Sequence, residues 1–174
     1  TLPLVSVNLW YHVGSKNERP ACTGLAHLFE HMLFQGSANV GVNDHFRLVQ
    51  QAGGTANGST WFDRTNYFET IPKNALDTVL WLESDRMGHF AEAITQAKLD
   101  EQRGVVQNEK RQSENQPYGQ VWPTLLRHLF PPNHPYSLST TGSMADPDAP
   151  TIPDATAWVA PVYGTQNAVI PLAA

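Results

Sequence analysis

The sequence has little of the chemistry that would commit it to several common classes of protein. Its 174 residues include a single cysteine, Cys22, which excludes an internal disulfide and leaves the redox compartment open. No apolar run approaches the roughly 18 residues that a membrane-spanning helix needs. Charged residues make up only 16% of the chain and the formal net charge is −5, which argues against a nucleic acid or an anionic membrane as partner. Repeats and low-complexity tracts are also lacking.

What remains is a globular composition. Hydrophobic residues make up 41% of the sequence, and 174 residues are enough for one domain with a substantial core. The chain begins at Thr1 without an initiator methionine, and residues 167–172 resemble a strand that is just beginning. We therefore interpret residues 1–174 as a single domain of a longer protein that lacks its C-terminal part.

Periodicity predicts a mixture of strands and helices. Apolar and polar side chains alternate over residues 4–10, as in a half-buried strand. The other predicted elements are a strand pair at 55–62 and 66–71 and helices at about 24–35, 44–52, 74–87 and 96–112. Thr23 is the expected N-cap of the first helix. In the proline-rich last third, Thr151 can cap a further helix, whose end Pro161 is expected to disturb.

The segment 27–31, HLFEH, places three polar side chains in an apolar stretch of the first predicted helix. Burying such groups is costly unless something pairs with them, so they are either satisfied core residues or hold a ligand. Residues four apart lie about 40° apart around a helix, so His27 and His31 share one face and can reach the same metal ion. Glu30 stands beside that face. A catalytic zinc ion held by two histidines needs one more protein ligand and an open position.

Glu109, on the helix predicted at about 96–112, is the candidate for that third ligand. Gln102 lies seven residues earlier and within about 20° of it around the helix, so the two side chains share a face. Spacing alone does not show that this helix meets the first one. Taken by itself, Glu109 is better interpreted as a solvated surface residue than as a ligand.

The order HxxEH followed by a distant glutamate is typical of the inverzincin motif. The surrounding residues resemble the insulinase (pitrilysin) family of zinc metallopeptidases, most of all its long bacterial members, from residue 4 to about residue 144. The stretches that carry the resemblance are 10–18 (WYHVGSKNE), 23–36 (TGLAHLFEHMLFQG), 53–70 (GGTANGSTWFDRTNYFET), 82–88 (LESDRMG), 103–109 (RGVVQNE), 116–119 (QPYG), 134–136 (HPY) and 142–144 (GSM).

The resemblance implies roles for the singled-out residues. His27, His31 and Glu109 would ligate one zinc ion, and Glu30 would be the general base. The implied fold is α+β, a largely antiparallel sheet with helices packed on one face. The chain would be one incomplete half of a two-half peptidase, whose first strand would precede Thr1.

Further implications concern the substrate and the surroundings of the metal. Peptide would add as a strand along residues 55–60, with Asn57, Gly58 and Ser59 as binding residues, a mode that suits a broad peptide class. Many family members carry a second glutamate where this chain has Gln102. An amide can still orient a ligand by hydrogen bonding, but it supplies no charge.

We therefore predict a zinc-dependent endopeptidase that cleaves peptides or unfolded segments. The alternative is a non-catalytic zinc-binding partner or scaffold subunit of the same family, and the presence of all four metal and base residues favours the enzyme. Expected partners are a peptide substrate and a second peptidase half, in the same chain or in a partner subunit, without nucleic acid or a membrane span. The isolated domain is expected to be inactive if the second half completes the substrate site. The sequence does not specify the compartment, and the resemblance leans toward the bacterial periplasm.

Overall fold

The computed structural model describes residues 3–19, 22–142 and 151–174, and in that part of the chain five strands form one sheet. The strands are β1 (Leu4–Tyr11), β2 (Thr55–Thr60), β3 (Thr65–Pro72), β4 (Ala168–Val169) and β5 (Leu172–Ala173). The α-helices of the same part are α1 (Leu25–Met32), α2 (Asp44–Gln51), α3 (Leu76–His89), α4 (Gln96–Glu114), α5 (Val121–Leu129) and α6 (Ile152–Val162). The strand order is β2–β3–β1–β4, β5 also pairs with β1, and these pairings are antiparallel.

The sheet has one buried and one exposed face because its central strand alternates in polarity. Val5, Val7 and Leu9 of β1 are buried, whereas Leu4 and Trp10 on the opposite face are exposed. The buried side chains pack against the helices. This one-sided packing confirms the predicted α+β fold class.

Two apolar clusters fill the space between the sheet and the helices. The first joins the end of β1 to α1 and α4 and includes Leu9, Phe29 and Leu99. The second joins the beginning of β1 to α2 and α3 and includes Val7 and Val49. Because α1 contributes to the first cluster together with both the sheet and α4, it is held between them.

The start of α1 differs from the sequence prediction. The residue before the helix is Gly24, whose φ of +85° lies in the left-handed region that glycine favours. The carboxylate of Glu18 accepts hydrogen bonds from the backbone N–H groups of Gly24 and Ala26, at 2.8 and 2.9 Å. The prediction of Thr23 as the cap is therefore wrong. A carboxylate from the preceding loop satisfies these amides, and its negative charge suits a helix N-terminus.

The predicted helices at 44–52, 74–87 and 96–112 are confirmed as α2, α3 and α4, with boundaries shifted by at most two residues. A short 3₁₀ turn at Lys73–Ala75 leads into α3. No helix among the described residues combines the length and apolar character needed to cross a bilayer.

In the last third the structure adds α5 to the predicted elements and confirms the helix predicted after Thr151 as α6. Thr151 caps α6 and forms a capping box with Asp154, and Pro161 lies in the final turn, one residue before the helix ends. The family match at 142–144 extends past the described residues, as does the beginning of the proline-rich stretch, because residues 143–150 are not among them.

A buried ionic cluster, made of His45, Glu69, Glu83 and Arg86, links α2, β3 and α3. Arg86 is 2% exposed, and its Nε and Nη2 both donate to the carboxylate of Glu83, with Nε 3.0 Å from Oε2. Oε1 of Glu69 lies 3.6 Å from the Arg86 guanidinium and 3.1 Å from Nε2 of His45. Burial raises the pKa of Glu83 to about 7, against the opposing effect of Arg86. Burial also lowers the pKa of His45 to about 3. The guanidinium is thus the cation that compensates the buried carboxylates.

We expect Arg86→Met to lower the free energy of unfolding by about 3–5 kcal/mol, because it leaves buried carboxylates without their compensating charge. The matched control is Arg47→Met on α2, where an exposed arginine pairs with Asp44 at 2.9 Å. That change should cost less than about 1 kcal/mol. Urea denaturation followed by circular dichroism measures both, and equal small losses would show that the cluster contributes little.

Candidate metal centre

Two histidines and a glutamate converge where α1 meets α4. Nε2 of His27 and Nε2 of His31 lie 3.7 and 3.3 Å from Oε2 of Glu109. The two imidazole rings stand 4.9 Å apart and nearly perpendicular. The histidine side chains are mostly buried, whereas that of Glu109 is about half exposed. The structure therefore brings one donor atom from each of the three predicted metal ligands within 4.8 Å of one another.

The convergence depends on how α4 packs on α1. Leu99 and Val106 of α4 belong to the same buried cluster as Leu28 of α1. Near the end of α1, Nζ of Lys98 donates to the backbone oxygen of Gln35 at 2.9 Å. Residues three apart on a helix are neighbours on its surface, so the packing that buries Val106 also brings Glu109 to the histidines.

The donor set fits a zinc ion. With metal–ligand bonds of about 2.1 Å in a tetrahedron, neighbouring donor atoms are about 3.4 Å apart. The observed separations of 3.3 and 3.7 Å between the histidine nitrogens and Glu109 lie on either side of that value. Two imidazoles and one carboxylate also leave a fourth position for water or substrate. Burial, with a smaller effect of His31, lowers the pKa of His27 to about 4, so its imidazole is neutral and able to ligate at neutral pH.

Glu30 lies beside these ligands in the same cleft, which has a volume of about 270 Å³. Its side chain is 9% exposed, and its Oε2 accepts a hydrogen bond from Oγ1 of Thr60 at 2.6 Å. Burial raises the pKa of Glu30, and the hydrogen bond from Thr60 opposes that rise. The residues that line the cleft are His27, Glu30, His31, Phe34, Gln35, Phe46, Asn57, Gln102 and Glu109.

Gln102 is buried in the wall of this cleft, two helical turns before Glu109 on α4. The shared face expected from the spacing is thus present. Its role in orienting a metal ligand stays a prediction.

The edge of the sheet runs past the cleft. In the described part of the chain β2 pairs with β3 along its whole length and has no strand on its other side. The turn between them is closed by a hydrogen bond from the N–H of Trp61 to the oxygen of Arg64. Because hydrogen-bonded pairs alternate along an antiparallel ladder, the backbone groups of Ala56, Gly58 and Thr60 point to the free edge.

Asn57, Gly58 and Ser59 occupy three different environments on this strand. Asn57 is exposed at the cleft, and its Oδ1 accepts a hydrogen bond from the N–H of Gly58 at 2.8 Å. Gly58 faces α1, where an added Cβ would lie 3.0 Å from Cγ of Glu30. Oγ of Ser59 donates to Oδ1 of Asn66 at 2.7 Å. The substrate-binding role of these three residues stays a prediction.

A second group of potential metal ligands occurs in the buried ionic cluster, where His45, Glu69 and Glu83 also lie within 4.8 Å of one another. The guanidinium of Arg86 already contacts both carboxylates. A divalent cation there would have to displace or repel this buried positive charge. The group at α1 and α4 is therefore the candidate metal centre.

Sequence reasoning missed Thr60. No periodicity or spacing connects a threonine at the end of β2 to Glu30 in a helix, since the two residues meet only through tertiary packing. One signal was available in the sequence. Gly58 and Thr60 are two residues apart on a predicted strand, so both residues face the same side of the sheet.

The comparisons with known proteins agree with this geometry. A profile described as "Insulinase (Peptidase family M16)" matches residues 2–148. The zinc protease PqqE of Helicobacter pylori is 31% identical over 168 residues, which are 96% of this chain and 37% of that protein. The crystal structure of a protease from Helicobacter pylori has a TM-score of 0.91 and 29% identity, and the alignment covers 98% of this chain and 40% of that one.

This chain belongs to the insulinase family of peptidases, and zinc proteases are among its relatives. It spans roughly two-fifths of the length of these two Helicobacter pylori proteins. The inactive domain of an M16 peptidase from Pseudomonas fluorescens also shares the fold, with a TM-score of 0.83 over 98% of this chain and 41% of that one. At 20% identity that likeness concerns the fold alone.

We predict that the purified protein binds about one zinc ion per chain and that His27→Ala, His31→Ala and Glu109→Gln each abolish stoichiometric binding, because three protein ligands are needed. Metal analysis after dialysis measures this. The matched controls are His128→Ala and Glu101→Gln, which change exposed residues away from the cleft and should keep zinc. Full retention of zinc by Glu109→Gln would remove Glu109 from the site.

Proposed function

We propose that this chain supplies the catalytic site of a zinc-dependent endopeptidase that hydrolyses peptide bonds in peptides or unfolded segments. The observation that carries the proposal is the sharing of one cleft by three elements. These are a set of metal ligands, a buried glutamate beside them and a free strand edge. Membership of a peptidase family supports the same reaction class.

His27, His31 and Glu109 are the residues that would hold the zinc ion. When bound, zinc supplies Lewis-acid chemistry that acidifies water and polarises a carbonyl oxygen. The histidines act through their Nε2 atoms, which face the Glu109 carboxylate. Both histidine side chains are mostly buried, so the rings have little room to turn away from this arrangement.

Glu30 is the general base of the proposed reaction. It is adjacent to His31 in sequence but is not one of the converging donors, so its carboxylate is free to handle protons. It takes the proton of the attacking water and later delivers it to the leaving amine, which completes hydrolysis without a net change at the carboxylate.

The free edge of β2 is the proposed binding site for the peptide backbone. An added strand would pair with the outward N–H and C=O groups of Ala56, Gly58 and Thr60, and at Gly58 it would displace Oδ1 of Asn57 from the N–H group. Gly58 and Thr60 both lie next to the side chain of Glu30, so a peptide bound at this edge would pass close to the base. Pairing through the backbone depends little on the side chains of the peptide, in keeping with a broad range of peptide substrates.

The two Helicobacter pylori proteins are about two and a half times as long as this chain, and a further segment of that kind is the proposed source of the second peptidase half, which would close over the peptide. A non-catalytic zinc-binding partner or scaffold subunit of the same family is the competing function. The complete set of ligands and base in one cleft favours the enzyme.

Glu30→Gln separates these two functions. We expect peptide hydrolysis by the full-length protein to fall about 10²–10⁴-fold, because glutamine is nearly isosteric but cannot accept the proton. Zinc content should remain near one per chain, since Glu30 is not a ligand. Cleavage of a quenched fluorescent peptide and metal analysis measure both quantities.

The matched control is Glu101→Gln, an exposed change on α4 that should leave cleavage unaltered. Loss of zinc in Glu30→Gln would show that the ligand assignment is wrong. Full activity with zinc bound would exclude Glu30 as the base.

Ala56→Pro tests the strand edge. It removes one outward N–H from β2, a change that edge strands tolerate, so folding and zinc content should persist. We expect KM for the peptide to rise about tenfold through loss of a backbone hydrogen bond to substrate. The control Ala56→Ser keeps the N–H and should keep KM. Unchanged kinetics in the proline variant would place peptide binding elsewhere.

A further inference from the structure

The carboxylate of Glu30 is enclosed between α1 and the end of β2. Oγ1 of Thr60 donates to its Oε2 at 2.6 Å, a short distance typical of a hydrogen bond to an ionised acceptor. On the same face of β2, Gly58 approaches so closely that an added Cβ would lie 3.0 Å from both Cγ and Oε1 of Glu30. The strand therefore constrains Glu30 at two positions: the hydroxyl of Thr60 bonds to the carboxylate, and Gly58 leaves little room for a side chain beside it.

Thr60 is itself held rigidly. It is the last residue of β2, directly before the turn closed by the hydrogen bond from the N–H of Trp61 to the oxygen of Arg64, at 2.9 Å. Its cross-strand partner is Thr65, whose hydroxyl donates to the backbone oxygen of Val13 at 2.9 Å. These hydrogen bonds hold the end of the hairpin in place, so the backbone that carries the Thr60 hydroxyl has a defined position.

A glutamate carboxylate needs such a support if it is to transfer protons in a defined direction. The terminal torsion of glutamate is broad, so packing of the aliphatic part alone does not fix the plane of the two oxygens. A donor that engages one oxygen fixes that plane. Groups that do chemistry lose efficiency when their supporting contacts leave them loose by even about 1 Å.

We propose that Thr60 is a positioning residue for Glu30: its hydroxyl engages Oε2 and so presents Oε1 to the water and to the leaving amine. This inference rests on the proposed peptidase function. It assigns no contact between the Thr60 side chain and zinc or peptide. Because the backbone of Thr60 lies on the proposed substrate edge, the same residue also sets the distance between a bound peptide and the base.

The role predicts a specific kinetic pattern. Removing the hydroxyl should lower kcat, because the base is misoriented in the reaction step. It should leave KM nearly unchanged, because the backbone groups of β2 that would pair with peptide are retained. A residue needed only for folding would instead reduce soluble protein, zinc content and both constants together.

The experiment compares Thr60→Val with Thr60→Ser in the full-length, zinc-loaded protein, using a quenched fluorescent peptide. Valine keeps the branched shape without the hydroxyl, and serine keeps the hydroxyl without the methyl group. We expect Thr60→Val to lower kcat about ten- to a hundredfold, the range of one hydrogen bond to a charged group. KM should stay within about twofold, and Thr60→Ser should restore kcat to within about threefold of the wild type.

The matched control is Thr70→Val on β3, the same replacement at an exposed strand position away from the cleft. It should leave kcat and KM unchanged. A crystal structure of Thr60→Val supplies a readout that does not depend on activity. The carboxylate of Glu30 should then be rotated or should occupy more than one orientation, with zinc content unchanged.

The outcomes separate this inference from the function on which it rests. If the wild type cleaves peptide, Glu30→Gln does not, and Thr60→Val matches the wild type, the role of Thr60 is overturned while the peptidase function stands. Equal losses in Thr60→Val and Thr60→Ser, or loss of zinc in either, would likewise overturn it in favour of a structural role. If the zinc-loaded wild type cleaves no peptide, the proposed function fails and the role of Thr60 fails with it.

Discussion

The packing of α4 against α1 is the contact on which the candidate site depends. The two histidines lie one turn apart on α1 and share a face through helix geometry alone, but the third donor comes from α4, far along the chain. Burial of Leu99 and Val106 against α1 places Glu109 within 3.7 Å of both imidazoles. A metal ion held there would join two helices that are separated in the chain by α2, β2, β3 and α3, so its binding free energy would also stabilise this packing.

The position of α1 between the sheet and α4 explains how one helix serves both structure and chemistry. Phe29 is fully buried in the core, while His27 and His31 face α4. Glu30 lies between these two sides and meets β2. The helix therefore connects the metal ligands to the strand edge through the base. The buried ionic cluster lies elsewhere in the same interior and carries its own compensating arginine, which distinguishes it from a metal site.

Local pattern was sufficient for the features that depend on a single element. The alternation of β1, the shared face of His27 and His31 and the extents of α2 to α4 all follow from the periodicity of strands and helices. The convergence of Glu109 with the histidines does not, because it depends on two distant helices meeting. The resemblance to a family indicated it where spacing could not. The capping of α1 by Glu18 and the contact between Thr60 and Glu30 were missed for a similar reason. The first depends on the path of the loop before α1, and the second depends on how β2 packs against α1.

The most direct test of the central claim is a crystal structure of the zinc-loaded protein with anomalous diffraction measured at the zinc edge. The geometry predicts one strong peak, about 2.0–2.2 Å from Nε2 of His27, Nε2 of His31 and a carboxylate oxygen of Glu109. Glu30 should lie outside bonding distance of that peak. A peak within the buried ionic cluster, or a zinc ion that lacks Glu109 as a ligand, would contradict the assignment of the metal centre.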